Sequence, residues 1–334
     1  MASWCKRNII RPVRNTVLYV LSSFLFMVAP LIPRKWQLGL HGRLSRLVYR
    51  LSKKQSDIVV ENLTKVYGPE REEGAYWRLG QRVFECLALT FTDYARWGAR
   101  RSWSFFRRYF KVTGEEHLRA AYERGKGVLC LIPHTAGWEF SAILPPLLGY
   151  KTAGVSSRIK NPALNKLMIR HRESRGMRNI TRNHCYDALV DLLRAGECLI
   201  IMTDQDSKNI RGAFVEFMGI KAYTPIGCSR LAADTGAAVV PMCTLRGDDG
   251  SYTFAIDPEL PRIKAPDGSY DILANTKKQN DALSQMVFDH PDQWVWFHKR
   301  WETTPESLAR FLEAKRQAKE RAARPREARS RVKK

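Results

Sequence analysis

The chain has 334 residues, of which 44% are hydrophobic and 27% are charged. This is the composition of a globular protein long enough to bury a core, and it excludes a disordered chain. The formal net charge is +23. Such an excess favours partners rich in negative charge, such as nucleic acid, an anionic membrane, a phosphorylated glycolipid or an acidic carrier protein. The sequence has no Walker loop, zinc-finger spacing, helix-turn-helix pattern or RNP motif, so we do not expect nucleic acid to bind.

The cysteines indicate a reducing compartment. There are seven of them, an odd number scattered along the chain and in several cases placed inside apolar runs. This pattern is typical of reduced thiols packed as small hydrophobes, and it predicts a catalytic domain in the cytoplasm. Because no CxxC pair or His/Cys cluster occurs, we expect neither a metal nor a cofactor.

An uncharged apolar run occupies residues 15–33, between Arg14 and Arg34. Its length is close to the roughly 20 residues that cross a bilayer, so it is predicted to be a membrane segment, spanning or re-entrant. Basic residues on both sides favour a shallow or re-entrant insertion. A cleaved signal peptide is the alternative, but residues 30–36 offer no small-residue cleavage site.

The residues that follow have the pattern of a basic amphipathic helix. Apolar residues recur there at helical spacing with arginines between them: Leu40, Leu44, Leu47, Val48 and Leu51, with Arg43, Arg46 and Arg50. This pattern predicts a helix lying in the membrane interface, and the alternative is that its apolar face packs on the protein's own core. We therefore assign residues 1–55 to a membrane anchor and interfacial helix.

The remainder of the chain is predicted to be one α/β domain, residues 56–312, followed by a basic tail, residues 313–334. Residues 58–108 read as helical, and from residue 112 onward short apolar runs alternate with helical segments. The predicted strands are 127–132, 153–156, 198–202, 239–244 and 252–256, and the predicted helices are 162–175, 185–195, 225–235 and 272–289. Thr224 is predicted to be an N-cap with Pro225 at the first helical position, and Gly236 the C-cap glycine.

The strongest chemical signal is the segment Pro133-His134-Thr135-Ala136-Gly137-Trp138-Glu139. His134 follows a buried strand, and Glu139 falls in the first turn of the next helix, where it can fold back toward the imidazole. A carboxylate beside an imidazole fixes its tautomer and stabilises the imidazolium, which suits a general base acting on a hydroxyl. The alternative is an ordinary surface or core pair.

The segment from His134 to Glu139 is similar to the H-x4-D/E signature of the glycerolipid acyltransferase superfamily. Further blocks resemble one branch of it, the late acyltransferases of lipid A biosynthesis, of the Kdo-dependent lauroyl and myristoyl transferase type. These blocks are residues 158–162 with Arg170, 203–206, 214–219, 224–227 leading to 235–241, and 294–301. The family often has Asn before its catalytic His, where this chain has Pro133.

The resemblance implies a glycerolipid-acyltransferase-like α/β sandwich of a mixed sheet flanked by helices, with an N-terminal membrane-anchoring helix. It implies an enzyme that moves a fatty acyl chain from acyl carrier protein onto a lipid A precursor of Kdo-lipid IVA type. The expected location is the inner membrane, with the catalytic domain facing the cytoplasm. The expected partners are acyl carrier protein, an anionic membrane and a phosphorylated glycolipid.

Four further residues are predicted to bind substrate. Asp204 and Asp206 close a strand of the sheet, where ligands usually lie, and can orient acceptor sugars or cap the next turn. Arg158 and Arg170 can meet phosphates, although Arg170 can also lie on a solvated helix face. Phe214, Val215, Phe217 and Met218 are predicted as an apolar wall for the acyl chain, with core packing as the alternative, and the residues 294–301 as an interfacial belt or pocket floor. His298 is a weaker second candidate for the base.

The expected mechanism is direct attack by an acceptor hydroxyl, with His134 as base and Glu139 as its orienting acid. No G-x-S-x-G elbow occurs and no cysteine lies within the motif, so an acyl-enzyme is not expected. Two alternatives stay open. One is an acyltransferase acting on a phosphatidylinositol mannoside, ornithine lipid or lysophospholipid, and the other is a basic membrane-surface binding protein without activity.

Overall fold

The chain folds as helices that cover both faces of one mixed sheet. The computed structural model describes residues 11–28, 31–70, 72–99, 103–182 and 185–323. Its α-helices are α1 Arg11–Val28, α2 Arg34–Leu51, α3 Lys53–Tyr67, α4 Ala75–Ala99, α5 Trp103–Tyr109, α6 Glu115–Glu123, α7 Trp138–Leu147, α8 Pro162–Glu173, α9 Tyr186–Arg194, α10 Gly227–Thr235, α11 Ile272–Asp289 and α12 Pro305–Ala323. Its strands are β1 Phe110–Thr113, β2 Val128–Leu131, β3 Thr152–Ser156, β4 Met177–Thr181, β5 Cys198–Ile201, β6 Gly212–Phe217, β7 Ile220–Pro225, β8 Ala238–Arg246 and β9 Tyr252–Ile256.

Seven strands form the main sheet in the order β1-β9-β8-β2-β5-β3-β4, and β6 pairs with β7 in a separate hairpin. Only the β8–β9 pair of the main sheet is antiparallel. Successive residues of β2 enter two different cores, because strand side chains alternate between faces. Val128 and Cys130 join one cluster, while Leu129 and Leu131 join the other. The predicted mixed sheet flanked by helices is confirmed.

The register of β2 and β5 determines what lies at the edge of the sheet. The two strands are parallel, and Leu131 pairs with Ile201. His134 and Asp204 each follow these paired residues by three positions, so the two side chains leave the sheet at the same level. Carboxyl ends of neighbouring parallel strands are where α/β proteins place ligands.

The predicted elements agree well with the structure from β2 onward. All five predicted strands and all four predicted helices of this region are present, and Gly236 ends α10 in the left-handed conformation, as predicted. The features that were not predicted include β1, α6, β4 and the β6–β7 hairpin. The cap at Thr224 was wrong, because Thr224 and Pro225 end β7 and the N-cap of α10 is Ile226. Pairing with β6 holds these two residues in the strand.

Helix α2 presents its apolar side outward. Leu40, Leu47 and Leu51 are 63%, 50% and 76% exposed, whereas Gln37 and Ser45 of the same helix are buried. The alternative that this stripe packs on the protein's own core is therefore wrong. No helix of the described residues is both long and apolar enough to cross a membrane. The membrane anchor itself stays a prediction, and residues 1–10, 29–30 and 324–334 lie outside the described part of the chain.

Polar bonds hold the inner side of α2 against α4. Arg34 donates through Nε and Nη2 to the two carboxylate oxygens of Asp93, both at 2.7 Å. Asp93 is fully buried and also accepts a hydrogen bond from Tyr252 of the sheet at 2.8 Å. A second ion pair, Arg46 with Glu85, joins the same two helices at 2.6 Å in a more exposed position. The first pair therefore fixes α2 to both α4 and the sheet.

We predict that Asp93→Asn destabilises the protein by roughly 2 to 3 kcal/mol, because it leaves the guanidinium of Arg34 without its buried counter-charge. The matched control is Glu85→Gln, which breaks the exposed pair on the same helices and is expected to cost less than about 1 kcal/mol. Urea unfolding of the two variants measures both free energies. Equal losses of unfolding free energy in the two variants would contradict the conclusion that the Arg34–Asp93 pair is the main polar attachment of α2.

Candidate active site

His134 and Asp204 form a close hydrogen-bonded pair at the carboxyl edge of the sheet. The ring Nδ1 of His134 lies 2.6 Å from Oδ1 of Asp204, and the backbone N–H of His134 donates to Oδ2 at 2.7 Å. Asp204 is fully buried, while the side chain of His134 is 21% exposed. The acid thus fixes both the backbone and the ring of the histidine and leaves the ring's other side open to solvent.

The charge of Asp204 determines the tautomer of His134. Burial alone would raise the pKa of this carboxyl group, but the charge and hydrogen bonds of His134, together with the indole of Trp294, lower it to about 2. Asp204 is therefore ionised near neutral pH and can only accept hydrogen bonds. The proton of neutral His134 must then lie on Nδ1, so the lone pair lies on Nε2, as a general base requires.

Trp294 holds Asp204 from the opposite side. Its Nε1–H donates to Oδ2 of Asp204 at 2.9 Å, and its ring is fully buried. The same segment also fixes the backbone next to the histidine: Thr135 and Trp294 form an antiparallel bridge, and the N–H of Ala136 donates to the carbonyl of Gln293 at 2.6 Å. One segment of chain therefore positions both members of the His134–Asp204 pair. The sequence placed Trp294 in a belt or pocket floor, and its complete burial contradicts the interfacial belt.

Glu139 has other partners than the predicted one. Arg172 donates to its two carboxylate oxygens through Nε at 2.9 Å and Nη2 at 2.5 Å. Tyr94 and the indole of Trp138 each donate to it at 3.2 Å. Burial would raise the pKa of Glu139, but the charge of Arg172 and these bonds lower it. The predicted direct pairing with His134 is therefore replaced: Asp204 orients the histidine, and Glu139 orients Arg172.

A cavity of about 670 Å³ joins these groups, and its wall includes His134, Trp138, Glu139 and Arg172. Its other side is apolar, with Met168, Met177 and Ile200 among the lining residues. A base and a cation therefore face a space that also has an apolar lining. Such a cavity suits a ligand with a polar reacting group and a hydrocarbon portion.

The remaining predicted site residues lie elsewhere. Both oxygens of Asp206 bond to Thr303, at 2.8 Å to its N–H and 2.5 Å to its hydroxyl, although Asp206 also lines the cavity. Asp204 is too deeply buried to be the substrate contact that the sequence predicted. Arg158 and Arg170 are exposed and lie outside the cavity wall, but Ser157 and Ile159 on either side of Arg158 are part of it.

His298 and two residues of the predicted apolar wall have structural contacts outside the proposed chemistry. Nε2 of His298 accepts a hydrogen bond from the backbone N–H of Asp206 at 3.2 Å, so this nitrogen is not available as the base. Burial lowers the pKa of His298. Phe217 and Met218 belong to the core, and neither lines the cavity that contains His134. The guanidinium of Arg300 lies over Phe217 and donates to the carbonyl of Tyr223 at 2.8 Å.

Sequence reasoning missed Arg172 and Tyr94. It chose Arg170, but residues two apart on a helix point in different directions, so only one of the two arginines can face α7. The signal was the acidic residue itself, since a buried Glu139 requires a nearby cation. Tyr94 gave no local signal, because it lies 45 residues before Glu139 in the sequence. Only the packing of α4 on α7 brings the two side chains together.

The sequence profile of bacterial lipid A biosynthesis acyltransferases matches residues 6–303, so the chain belongs to this family and is an acyltransferase. A phosphatidylinositol mannoside acyltransferase of Mycobacterium tuberculosis is 26% identical over 233 residues, which are 68% of this chain and 67% of the relative. A lipid A biosynthesis acyltransferase of Haemophilus influenzae is 23% identical over 277 residues, 83% of this chain and 85% of the relative. The lipid A biosynthesis lauroyltransferase of Escherichia coli is 25% identical over 272 residues, 79% and 85% of the two chains.

We predict that Trp294→Phe lowers kcat by about 10- to 100-fold at unchanged KM, the effect of losing one hydrogen bond to a charged group. The matched control is Trp296→Phe, because Trp296 is equally buried but its Nε1–H donates to the carbonyl of Pro291. Both variants lose similar packing, so both should lose similar stability. Equal kcat values in the two variants would show that Trp294 acts through packing alone.

We predict that stability falls as the pH drops from about 6.5 toward 4, in part through His171. Burial, with Arg175 and Arg172 nearby, lowers the pKa of His171 from 6.5 to about 4. Between these values the unfolded chain binds the proton and the folded chain does not, so the folded state loses up to about 1.4 kcal/mol per pH unit. Denaturant unfolding at several pH values should show a smaller slope for His171→Gln. An unchanged slope would exclude His171 as the cause.

Proposed function

We propose that this acyltransferase moves a fatty acyl chain from an acyl carrier protein thioester to a hydroxyl of a lipid A precursor of Kdo-lipid IVA type. The observation that carries the proposal is the His134–Asp204 pair at the wall of a cavity that also contains Arg172 and an apolar lining. The base, a cation and space for a hydrocarbon chain are the parts that transfer to a lipid hydroxyl needs. Membership of the lipid A acyltransferase family supports the choice of acceptor.

In the proposed mechanism, Nε2 of His134 takes the proton of the acceptor hydroxyl while the hydroxyl oxygen attacks the thioester carbonyl. Asp204 keeps the ring in the required tautomer and stabilises the imidazolium that forms. The carbonyl oxygen becomes an oxyanion, and collapse of the tetrahedral intermediate expels the carrier's thiolate, which receives the proton from His134. No covalent acyl-enzyme is formed.

Arg172 is the proposed donor to the oxyanion. The charge and hydrogen bonds of Glu139 outweigh burial and raise the pKa of Arg172, so the guanidinium stays charged. Its Nε and one Nη group bind Glu139, and the other Nη group of the planar fork is the proposed donor to the oxyanion. Glu139 is then a positioning residue, and this role explains how a motif glutamate can matter without touching His134.

Charge and exposed surface support a membrane-associated site for the reaction. The net charge of +23 favours anionic partners. The apolar stripe of α2 is flanked by arginines, as expected for a helix lying in the interface of an anionic leaflet. We place the enzyme at the inner membrane with the catalytic domain toward the cytoplasm, where acyl carrier protein meets it. Arg158, at the rim of the His134 cavity, is the proposed contact for acceptor phosphates, and Arg170 stays a second prediction.

A phosphatidylinositol mannoside is the second candidate acceptor. Relatives that act on this lipid cover two thirds of the chain at 26% identity, as much identity as the lipid A enzymes reach. Purified protein offered both acceptors with the same acyl carrier protein donor distinguishes them. Mass spectrometry of lipid A from cells with and without the protein shows in vivo whether lipid A loses an acyl chain when the protein is absent.

We predict that His134→Ala abolishes transfer and that Asp204→Asn lowers kcat by roughly 10²- to 10⁴-fold, the size of general-base assistance. The control is Asp206→Asn, two residues along the same segment, whose carboxylate bonds Thr303 rather than His134. It should keep most of its kcat at temperatures where it is folded. Circular dichroism verifies folding of each variant. Full activity of His134→Ala would show that a different group acts as the base.

We predict that Leu40→Glu weakens binding to phosphatidylglycerol vesicles, since a charge in the apolar stripe cannot enter the interface. The control is Leu273→Glu on α11, where the replaced leucine is 55% exposed, close to the 63% of Leu40. Vesicle flotation at two salt concentrations separates the charge contribution, because screening weakens it as ionic strength rises. Equal flotation of the two variants would contradict membrane contact through α2.

A further inference from the structure

A second cavity, of about 520 Å³, lies between α2, α4 and α7. Its wall is almost wholly apolar and includes Leu44 and Val48 of α2, Leu87 of α4 and Phe140 of α7. The proposed reaction uses none of these residues. We call this space the α2–α4 chamber, to distinguish it from the His134 cavity.

Only one layer of side chains separates the two spaces. Trp138 and Glu139 line both the α2–α4 chamber and the His134 cavity. The ring of Trp138 lies 6.0 Å from that of His134, centroid to centroid, and its indole N–H donates to Glu139. A ligand that occupies the chamber therefore ends next to the reacting groups.

The opening of the chamber lies on the apolar stripe of α2. Leu44 and Val48 line the chamber and are also 50% and 44% exposed, and Phe91 of α4 is 40% exposed beside them. The inner side of α2 makes close contact with α4 through small residues. At Gly42 a Cβ atom would lie 3.0 Å from Glu85, and Ser45 is buried there. The gap between these helices is thus apolar at its outer edge and leads inward toward α7.

We propose, on the basis of the proposed function, that the α2–α4 chamber receives one alkyl chain of the membrane-resident acceptor lipid. The chain passes from the bilayer between α2 and α4, and the lipid's head group presents its hydroxyl at His134 across Trp138. An alkyl chain that moves this way stays in apolar surroundings, whereas exposing its methylene groups to water would be unfavourable.

The acceptor is a better occupant of this chamber than the acyl donor. The donor arrives on a soluble carrier protein, whereas the chamber opens beside the exposed apolar stripe of α2, which is the side that a membrane-resident lipid would approach. The larger His134 cavity has its own apolar lining from Met168 and Met177. The two chains are then held on opposite sides of Trp138, with their reacting ends at the same imidazole.

Photolabelling tests where each chain lies without requiring turnover. The first probe is phosphatidylglycerol with a diazirine at the end of one acyl chain, in vesicles of phosphatidylethanolamine and phosphatidylglycerol. The second is acyl carrier protein loaded with a diazirine-tipped acyl chain. Phe140 is the diagnostic position, because it lines the chamber but is fully buried from the surface. We expect the vesicle probe to label the peptide that contains Phe140 and the carrier probe to label the peptides of Met168 and Met177.

Two matched variants separate the chamber from simple membrane contact. Leu44 and Leu47 are both 50% exposed on α2, but only Leu44 lines the chamber. Leu44→Trp should obstruct the opening of the chamber and reduce vesicle labelling of Phe140 at least about tenfold, since an alkyl chain cannot pass through space that a larger side chain occupies. Leu47→Trp adds the same bulk to the stripe and should leave that labelling unchanged. In turnover, Leu44→Trp should raise KM for the acceptor while KM for the acyl donor stays unchanged.

Three results would overturn the proposal: vesicle labelling restricted to the outer residues of α1 and α2, labelling of Phe140 by the carrier probe instead of the vesicle probe, or equal effects of the two tryptophan variants. Failure of the proposed function would look different. In that case neither acceptor would be acylated, but the vesicle probe would still label Phe140, and Leu44→Trp would still prevent it.

Discussion

The hydrogen bond between His134 and Asp204 is the interaction on which the site depends. It follows from the register of two parallel strands, since Leu131 opposite Ile201 brings the residues three positions later to one level. The bond at 2.6 Å fixes the ring, and the ionised acid fixes its tautomer. The segment around Trp294 then closes over both residues. A slip of one residue between β2 and β5 would turn Asp204 away from the imidazole, because strand side chains alternate between faces.

Helix α2 has polar contacts on its inner side and leucines on its exposed side. This helix turns polar groups inward, where Arg34 meets Asp93, and leaves leucines outward. A helix that is held to its own protein by ion pairs and by the buried ring of Tyr49 can leave its leucines exposed without unfolding. The α2–α4 chamber opens on the same side and ends at Trp138, so a short apolar space lies between the exposed leucines of α2 and the side chain that packs next to His134.

The sequence predicted the central sheet and the position of His134 at a strand end, but not the partners of the charged groups. Strands β2 and β5 are short continuous apolar runs with clear ends, so His134 and Asp204 could be placed at strand termini. The carboxylate closest in sequence, Glu139, was taken as the orienting acid, whereas the sheet register selects Asp204 from 70 residues away. Tyr94 and Trp294 also arrive through long-range packing that no local pattern reports. The β6–β7 hairpin was missed because both residues of its turn, Met218 and Gly219, have positive φ angles. Only the glycine is a residue type that indicates such a conformation in the sequence.

The most direct test of this account is the tautomer of His134, measured by ¹⁵N NMR of the histidine-labelled protein at neutral pH, with His134→Gln to assign the signal. The account predicts that the wild-type ring carries its proton on Nδ1, hydrogen-bonded to Asp204, with a far-downfield proton chemical shift. The same tautomer is expected in Glu139→Gln, and a different one in Asp204→Asn. A proton on Nε2 in the wild-type protein, or a tautomer that depends on Glu139 and not on Asp204, would contradict it.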